Sequence, residues 1–538
     1  FVAPSHRARI PARRTRRAMR GRSCLRLWEQ LGGRRRLSFF AREKEEYLPV
    51  VQAASEFRPK KPRLRQGDVP PAALQRLRTD VIFPSEVENS VPPPAEQLEP
   101  RLTTLDSGLR VVSRDTFGHL SSFGLVGDCG SLYEKKTGVV HMLELMAFSS
   151  RPDRSSADII REVQDIGGMV NAACTRDHCC FILDALRRHL DDGMSLIGDC
   201  LLNPTYDDPV ELQQVKEIMS LQAADTPLEM HIIEAQHAAA WPGQPLGRSL
   251  RVTEDVDLHS LTLHDLHDHR LATFHPSRLV VSGAGMEHGR LVELAQKYIE
   301  PKLPKASPKA SPRPRSEFFP GHVLREVHHE MNDQGLVKVA FSWEGVGWKH
   351  DDAIAMALLQ TLLGGGDSFS AGGPGKGLLS QLYLEILNKF SMAEGAEAQF
   401  HNYDEEGIFS LVGTSAPDKA AELSHALCDF FVRYSYVPVQ DKALDRAKQM
   451  LKVNLLTMME SRLILFEDMG RQILTYGEVM TAKQICDKVD AITADDIMRI
   501  VKGMLQCPPA VSAVGPKLDN VPTREQVDCW FGVKKKQE

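Results

Sequence analysis

Apolar positions along this chain follow two periods, and the periods return in the same order twice. Leu109-Arg110-Val111-Val112 is expected to form a strand, with Phe123-Gly124-Leu125-Val126 as its partner. "CCFILDAL" then predicts a strand and "LDDGMSLIGDCLLNP" a helix; Pro204 breaks the chain before a long helix from about Pro209. In the second half "GIFSLVGTSAP" predicts a strand and "DKAAELSHALCDFFVRYSYVP" a helix, followed by Pro438 and a long helix from about Gln440. The same series, with a proline at the same joint, predicts a duplicated α+β unit.

The breaks in this pattern outline the organisation. Periodic structure begins near Arg101, and "PKLPKASPKASPRPRSEF" after residue 300 is too rich in Pro, Lys and Ser to pack an element of its own. The expected fold class is α+β: two homologous domains, 101–300 and 321–531, each a duplicated antiparallel sheet with helices, joined by a hinge or linker at 301–320. Residues 44–100, rich in Pro, Glu and Gln, are expected to form an N-terminal extension. With 538 residues the chain is too long for one core. No apolar stretch reaches the roughly 18 residues of a membrane span.

Charge changes the picture at the N-terminus. Net charge is −5, yet residues 1–43 are dense in arginine (Arg7, Arg9, Arg13, Arg14, Arg16 and Arg17 among them), and no acidic residue precedes Glu29. Arginine-rich, acid-poor and without a long apolar core, the segment has the composition of a mitochondrial transit peptide. A nucleic-acid arm is the competing reading of such a charge block. Arg36-Leu37 before Ser38 marks a candidate cleavage point, and what remains after it is a distinctly acidic body. The ten cysteines include no CxxC pair, which is expected of reduced thiols.

Candidate chemistry sits in "TGVVHMLELMAFSS", where Thr137-Gly138 is expected to cap a buried helix. The inverted zinc-protease motif is H-x-x-E-H, two histidine ligands on one helix face and a glutamate general base. Here His141 and Glu144 hold the first ligand and base positions, but Leu145 replaces the second histidine and has no lone pair to offer. The third ligand in such proteases is a Glu on a later helix. Matching "EIMSLQAADTPLEMHIIEAQHAAAW" to that helix puts Ser220 there, or Leu221 with a one-residue slip, while Glu217 lies one turn away. A catalytic zinc needs three protein ligands, so no metal and no catalytic residue is expected in this chain. His264, His267, His269 and His275 have metal-like spacing, but Asp265 and Asp268 interleave and an exposed helix is expected. In His178-Cys179-Cys180 neighbours on a strand point to opposite faces, which argues against a shared ligand set.

"GSLYEKKTGVVHMLELMAFSS", "LLGGGDSFSAGGPGKGLLSQLYLEILN" (362–388) and "MMESRLILFEDMGRQIL" (458–474) together resemble the M16 metallopeptidase family of processing-peptidase subunits and complex III core proteins, over about 101–531. The glycine-rich stretch is similar to the loop of the family's alpha branch. The resemblance implies a non-catalytic alpha-type subunit of the mitochondrial processing peptidase that binds basic presequences in the matrix for cleavage by a zinc-containing beta subunit. A core subunit of the cytochrome bc1 complex, on the matrix face of the inner membrane, is the alternative, and both roles in one protein a third. The implied substrate-binding residues are Gly364, Gly365, Gly366, Asp367, Ser368, Phe369, Ser370, Gly372, Gly373, Gly375, Lys376 and Gly377, with Asp367 standing where the family usually has another glycine. Read without the family, the glycines free the backbone and clear space for a peptide. "GGPGKG" is not a phosphate loop, because Gly377 stands where Ser or Thr would bind magnesium. An acidic cavity would attract basic helices, and Asp367, Glu385, Asp404, Glu405 and Glu406 are its candidate walls.

Overall fold

Two six-stranded sheets repeat one wiring. The computed structural model describes residues 99–532 apart from 152, 205–207, 254–255, 304–311, 329–334 and 368–376, all within a unit spanning 93–538. The arginine-rich segment, the extension up to residue 98 and the loop positions Ser368, Phe369, Ser370, Gly372, Gly373, Gly375 and Lys376 lie outside the described residues.

The first half contains β1 (Arg101–Thr104), β2 (Arg110–Arg114), β3 (Leu120–Gly127), α1 (Val139–Leu145), α2 (Ser156–Asp165), β4 (Met169–Cys174), β5 (Cys179–Leu186), α3 (Leu190–Leu202), α4 (Pro209–Ala224), α5 (Leu228–Ala240), α6 (Leu263–Thr273), β6 (Leu279–Ala284) and α7 (His288–Leu294). The second contains β7 (His322–Glu326), β8 (Val337–Val346), α8 (Ala353–Leu363), β9 (Gly365–Asp367), β10 (Gly395–Asn402), β11 (Glu406–Ser415), α9 (Ala420–Arg433), α10 (Asp441–Glu460), α11 (Arg462–Tyr476), α12 (Ala482–Ala491), α13 (Ala494–Met504), β12 (Ala510–Gly515) and α14 (Arg524–Trp530).

Strand order is β1-β2-β6-β3-β5-β4 in one sheet and β7-β12-β8-β11-β10-β9 in the other. Superposing β2-β6-β3-β5-β4 on β7-β12-β8-β11-β10 matches every pairing, including one parallel pair in each, β2 with β6 and β7 with β12. The sheets are therefore mixed rather than purely antiparallel. The expected partnership of the first two strands also changes: β6 lies between β2 and β3. All six residues of β6 are buried, so this apolar strand takes an inner place in the sheet and displaces β2 outward.

Each half lends a helix to the other. Helix α5, from the first half, lays Leu228, Ile232 and Ala235 on Ala340, Val412 and Val514 of the second sheet. Helix α11, from the second half, lays Leu465, Phe466, Met469 and Ile473 on Val112, Val126, Cys180, Ile182 and Val280 of the first. Both stripes have the three-to-four-residue spacing of a single buried helix face. Gly470 lets α11 sit this close, because a Cβ there would lie 2.4 Å from Val126 Cγ2.

The junction is tied further by a segment expected to be a hinge. Residues 312–321 form neither helix nor strand. Arg313 nevertheless pairs with Asp177 at 2.9 Å and Glu406 at 2.6 Å, and Phe319 N donates to Ala240 O at 2.8 Å. Proline and charge excluded an element of its own, but not anchorage by the elements on either side.

Candidate functional site

Helix α1 carries the degenerate motif on the wall of the first core, with Val139 to Leu143 buried. Gly138 is its N-cap residue, with φ +98° and no side chain to accept from the first turn. The buried carboxylate of Glu134 accepts instead from Gly138 N at 3.3 Å and Val140 N at 3.0 Å, satisfying two of the helix's orphan donors. Burial pushes this carboxyl up to about 8.

His141 points across to α4, where Nε2 lies 2.7 Å from Gln222 Oε1. Val252 N donates to Nδ1 at 3.3 Å, so Nε2 carries the proton and gives it to the glutamine. The residue opposite His141 is thus Gln222, not Ser220 or Leu221. At 100° per residue those two turn away: Ser220 is exposed and Leu221 is 71% exposed. Glu217 is also exposed and accepts a hydrogen bond from Gln213 on its own helix. Glu144 is already engaged: Oε1 lies 2.7 Å from an Arg251 nitrogen, and Oε2 accepts from Cys174 N at 2.9 Å. The donor set does not suit zinc. It consists of a protonated histidine nitrogen, a leucine, an amide and a glutamate held by a cation; of these residues His141 and Gln222, with Arg251, His231 and Glu234, line a cavity of about 290 Å³.

Burial, with Arg251 second, pulls His141 down to about 4. The unfolded chain therefore takes up this proton first as pH falls. His141 should withdraw stability from about pH 6.5 downward, reaching roughly 3 kcal/mol near pH 4. Urea midpoints measured across that window should fall, and His141→Asn should flatten the decline; identical slopes would count against it.

The glycine-rich segment begins where α8 ends. Gly364 closes the helix, and Gly365 to Asp367 pair with β10 as the edge strand β9. Gly365 has φ +135°, and a Cβ there would lie 2.2 Å from Ala396 O, so no other residue fits. A Cβ on Gly366 would meet nothing within 4 Å, and Gly377 has φ +77° with open space around it. Of the candidate acidic contacts, Glu385 pairs with Lys389 and Arg433. Asp404 pairs with Lys349, Glu405 with Arg315 and Glu406 with Arg313. Only Asp367, exposed beside the loop, has no ion pair among the described residues.

The histidine-rich stretch separates as well. His269 is buried with Nε2 2.9 Å from Cys129 O, His264 lies near Asp268, and His275 accepts from Ser277 N. Sequence reasoning missed Glu134, Gln222 and Arg251. Glu134 acts locally, four and six residues from its partners, whereas only the packing of α1 against α4 and the 250–252 strap brings Gln222 and Arg251 to theirs.

Residues 110–254 match the family model of insulinase (peptidase family M16), and 260–451 match the M16 inactive domain. The chain is 32% identical to the mitochondrial-processing peptidase subunit alpha of Solanum tuberosum, over 84% of this chain and 90% of the relative. Against the Homo sapiens subunit alpha it is 30% identical over 88% and 94%. Its fold resembles a chain of complex III2 from Candida albicans, with TM-score 0.68, 16% identity and coverage of 80% of this chain and 99% of that one. With its duplicated sheets and its glycine-rich segment, the chain belongs to the family of mitochondrial-processing peptidase alpha subunits within the M16 peptidases.

Proposed function

We propose that this chain is the non-catalytic, substrate-recognising subunit of a mitochondrial matrix heterodimer, binding basic presequences for cleavage by a zinc-containing beta subunit. One observation carries the reading: the motif that would cut holds Leu145 and Gln222 where ligands are needed, with Glu144 clamped by Arg251. What remains for this chain is recognition, and the glycine-rich segment is suited to it. Its residues Gly365 to Asp367 form the edge strand of the second sheet, and the exposed Asp367 carboxylate offers a basic helix an attractive charge. The zinc and the general base would come from the partner.

Deleting 364–377 tests this. With beta subunit co-expressed, the shortened chain is expected to co-purify with it while presequence-peptide affinity, read by fluorescence anisotropy, drops at least about tenfold, or about 1.4 kcal/mol. Undiminished affinity would remove the loop from recognition. The fold likeness to a complex III2 chain keeps a core-subunit role as the second reading. Native electrophoresis of mitochondria separates the two, since co-migration with cytochromes b and c1 supports the second and a soluble heterodimer the first.

A further inference from the structure

The alternation expected along "HCC" does hold. Cys179 enters the front core of the first sheet and Cys180 the back. The same alternation, however, puts His178 and Cys180 on one face, two residues apart. Across that face runs α11, the helix lent by the second half, and it sets Glu467 beside them. One donor atom from each, a ring nitrogen, a sulfur and a carboxylate oxygen, lie within 4.8 Å of one another. This is the one such grouping among the described residues.

We infer that His178, Cys180 and Glu467 form a binding site for a zinc-like divalent cation, distinct from the degenerate motif on α1 and independent of the presequence reading. The histidine is set up for it. Its Nδ1 lies 3.4 Å from Thr175 Oγ1, while the buried Nε2 has no hydrogen-bond partner and lies 3.5 Å from Glu467 Oε1. Zinc bonds of about 2.0–2.3 Å in a tetrahedron imply donor separations of roughly 3.3–3.7 Å. The His178–Glu467 edge already has that length. Glu467, with its side chain 46% exposed, can swing to close its edge with Cys180, whereas His178 is only 13% exposed and stays fixed, with its nitrogen within 4.8 Å of the sulfur. A nitrogen–sulfur–oxygen set suits zinc or cobalt and is a poor match to magnesium or calcium, which take oxygen ligands.

Charge balances as well. Binding replaces the Cys180 S–H bond by an S–metal bond and releases one proton to solvent; the thiolate and the Glu467 carboxylate then neutralise the dication. The nearby Arg471 cation is bonded to Asp468 at 2.5 Å and stacked 4.0 Å over Trp348. Three protein ligands leave a fourth position for water. The ion would join the start of β5 to α11, where one half closes the sheet of the other.

Full-length chain without a histidine tag, stripped by chelator and titrated with cobalt(II), reads the site directly. One ion per chain is expected, with thiolate-to-cobalt charge-transfer absorption that zinc abolishes by displacement and one proton released per ion. Glu467→Gln and His178→Gln should each weaken cobalt binding at least about tenfold, and Cys180→Ala should erase the charge-transfer band. The Glu467→Gln and His178→Gln substitutions decide the matter if Cys180→Ala fails to fold. Absence of the band in the unmodified chain, or a band of undiminished affinity in both Glu467→Gln and His178→Gln, overturns the assignment.

Discussion

Arg176→Met is expected to destabilise the folded chain by about 3–5 kcal/mol, the cost of removing one partner from a buried ion pair. Arg176 sits in the turn before β5 and meets Glu234 of α5 at 2.6 Å, with the two side chains 4% and 5% exposed. It also donates to Leu246 O at 3.1 Å and Arg248 O at 3.2 Å. Methionine fills much of the volume but leaves the Glu234 carboxylate buried and two carbonyls without their donor. The damage should concentrate at the junction of the halves, because Glu234 belongs to the helix that covers the second sheet. Urea unfolding monitored by tryptophan fluorescence measures it. The double substitution Arg176→Met with Glu234→Met should recover much of the loss, since no unpaired charge remains. A double variant as unstable as the sum of the singles would show that the pair acts through packing instead.

This junction shows where sequence reasoning runs out. The helices from Pro209 and Gln440 and the strands at "CCFILDAL" and "GIFSLVGTSAP" were legible, because a strong period survives without knowledge of its surroundings. So was the duplication, which extends to the pairing of five strands in each sheet. The stripes on α5 and α11 were equally legible as stripes. A period, however, says that a face is buried and not what covers it, so the reciprocal exchange of helices was beyond reach. The same holds at the site. Leu145 could be read as a lost ligand from its place in the motif, but Gln222 opposite His141 depends on how α4 is rotated, and a one-residue difference along a helix turns a side chain by 100°. The acidic residues 404–406 read as walls of an acidic cavity because their cations, Lys349, Arg315 and Arg313, come from distant segments.

That rotation makes the strongest test of the lost zinc site a paired one. Leu145→His alone is expected to bind zinc no better than the unmodified chain, since it supplies two histidines and no carboxylate. Leu145→His with Gln222→Glu puts a carboxylate oxygen where Gln222 Oε1 now stands, 2.7 Å from His141 Nε2, and completes the three-ligand set. Zinc binding, followed by competition with a chromogenic chelator, should then appear. Two features of the present site will hold it below a mature one. Metal on Nε2 forces the proton to Nδ1, against the Val252 N–H that now donates there, and such a mismatch around a ligand costs about ten- to a hundredfold in affinity. Arg251 beside Glu144 also sets a fixed positive charge near the incoming dication and occupies the would-be base. Zinc without peptide cleavage is therefore the expected outcome for the double variant. Zinc-dependent cleavage by Leu145→His alone would mean that some carboxylate other than one at position 222 completes the site, and that α4 turns in solution to bring it there.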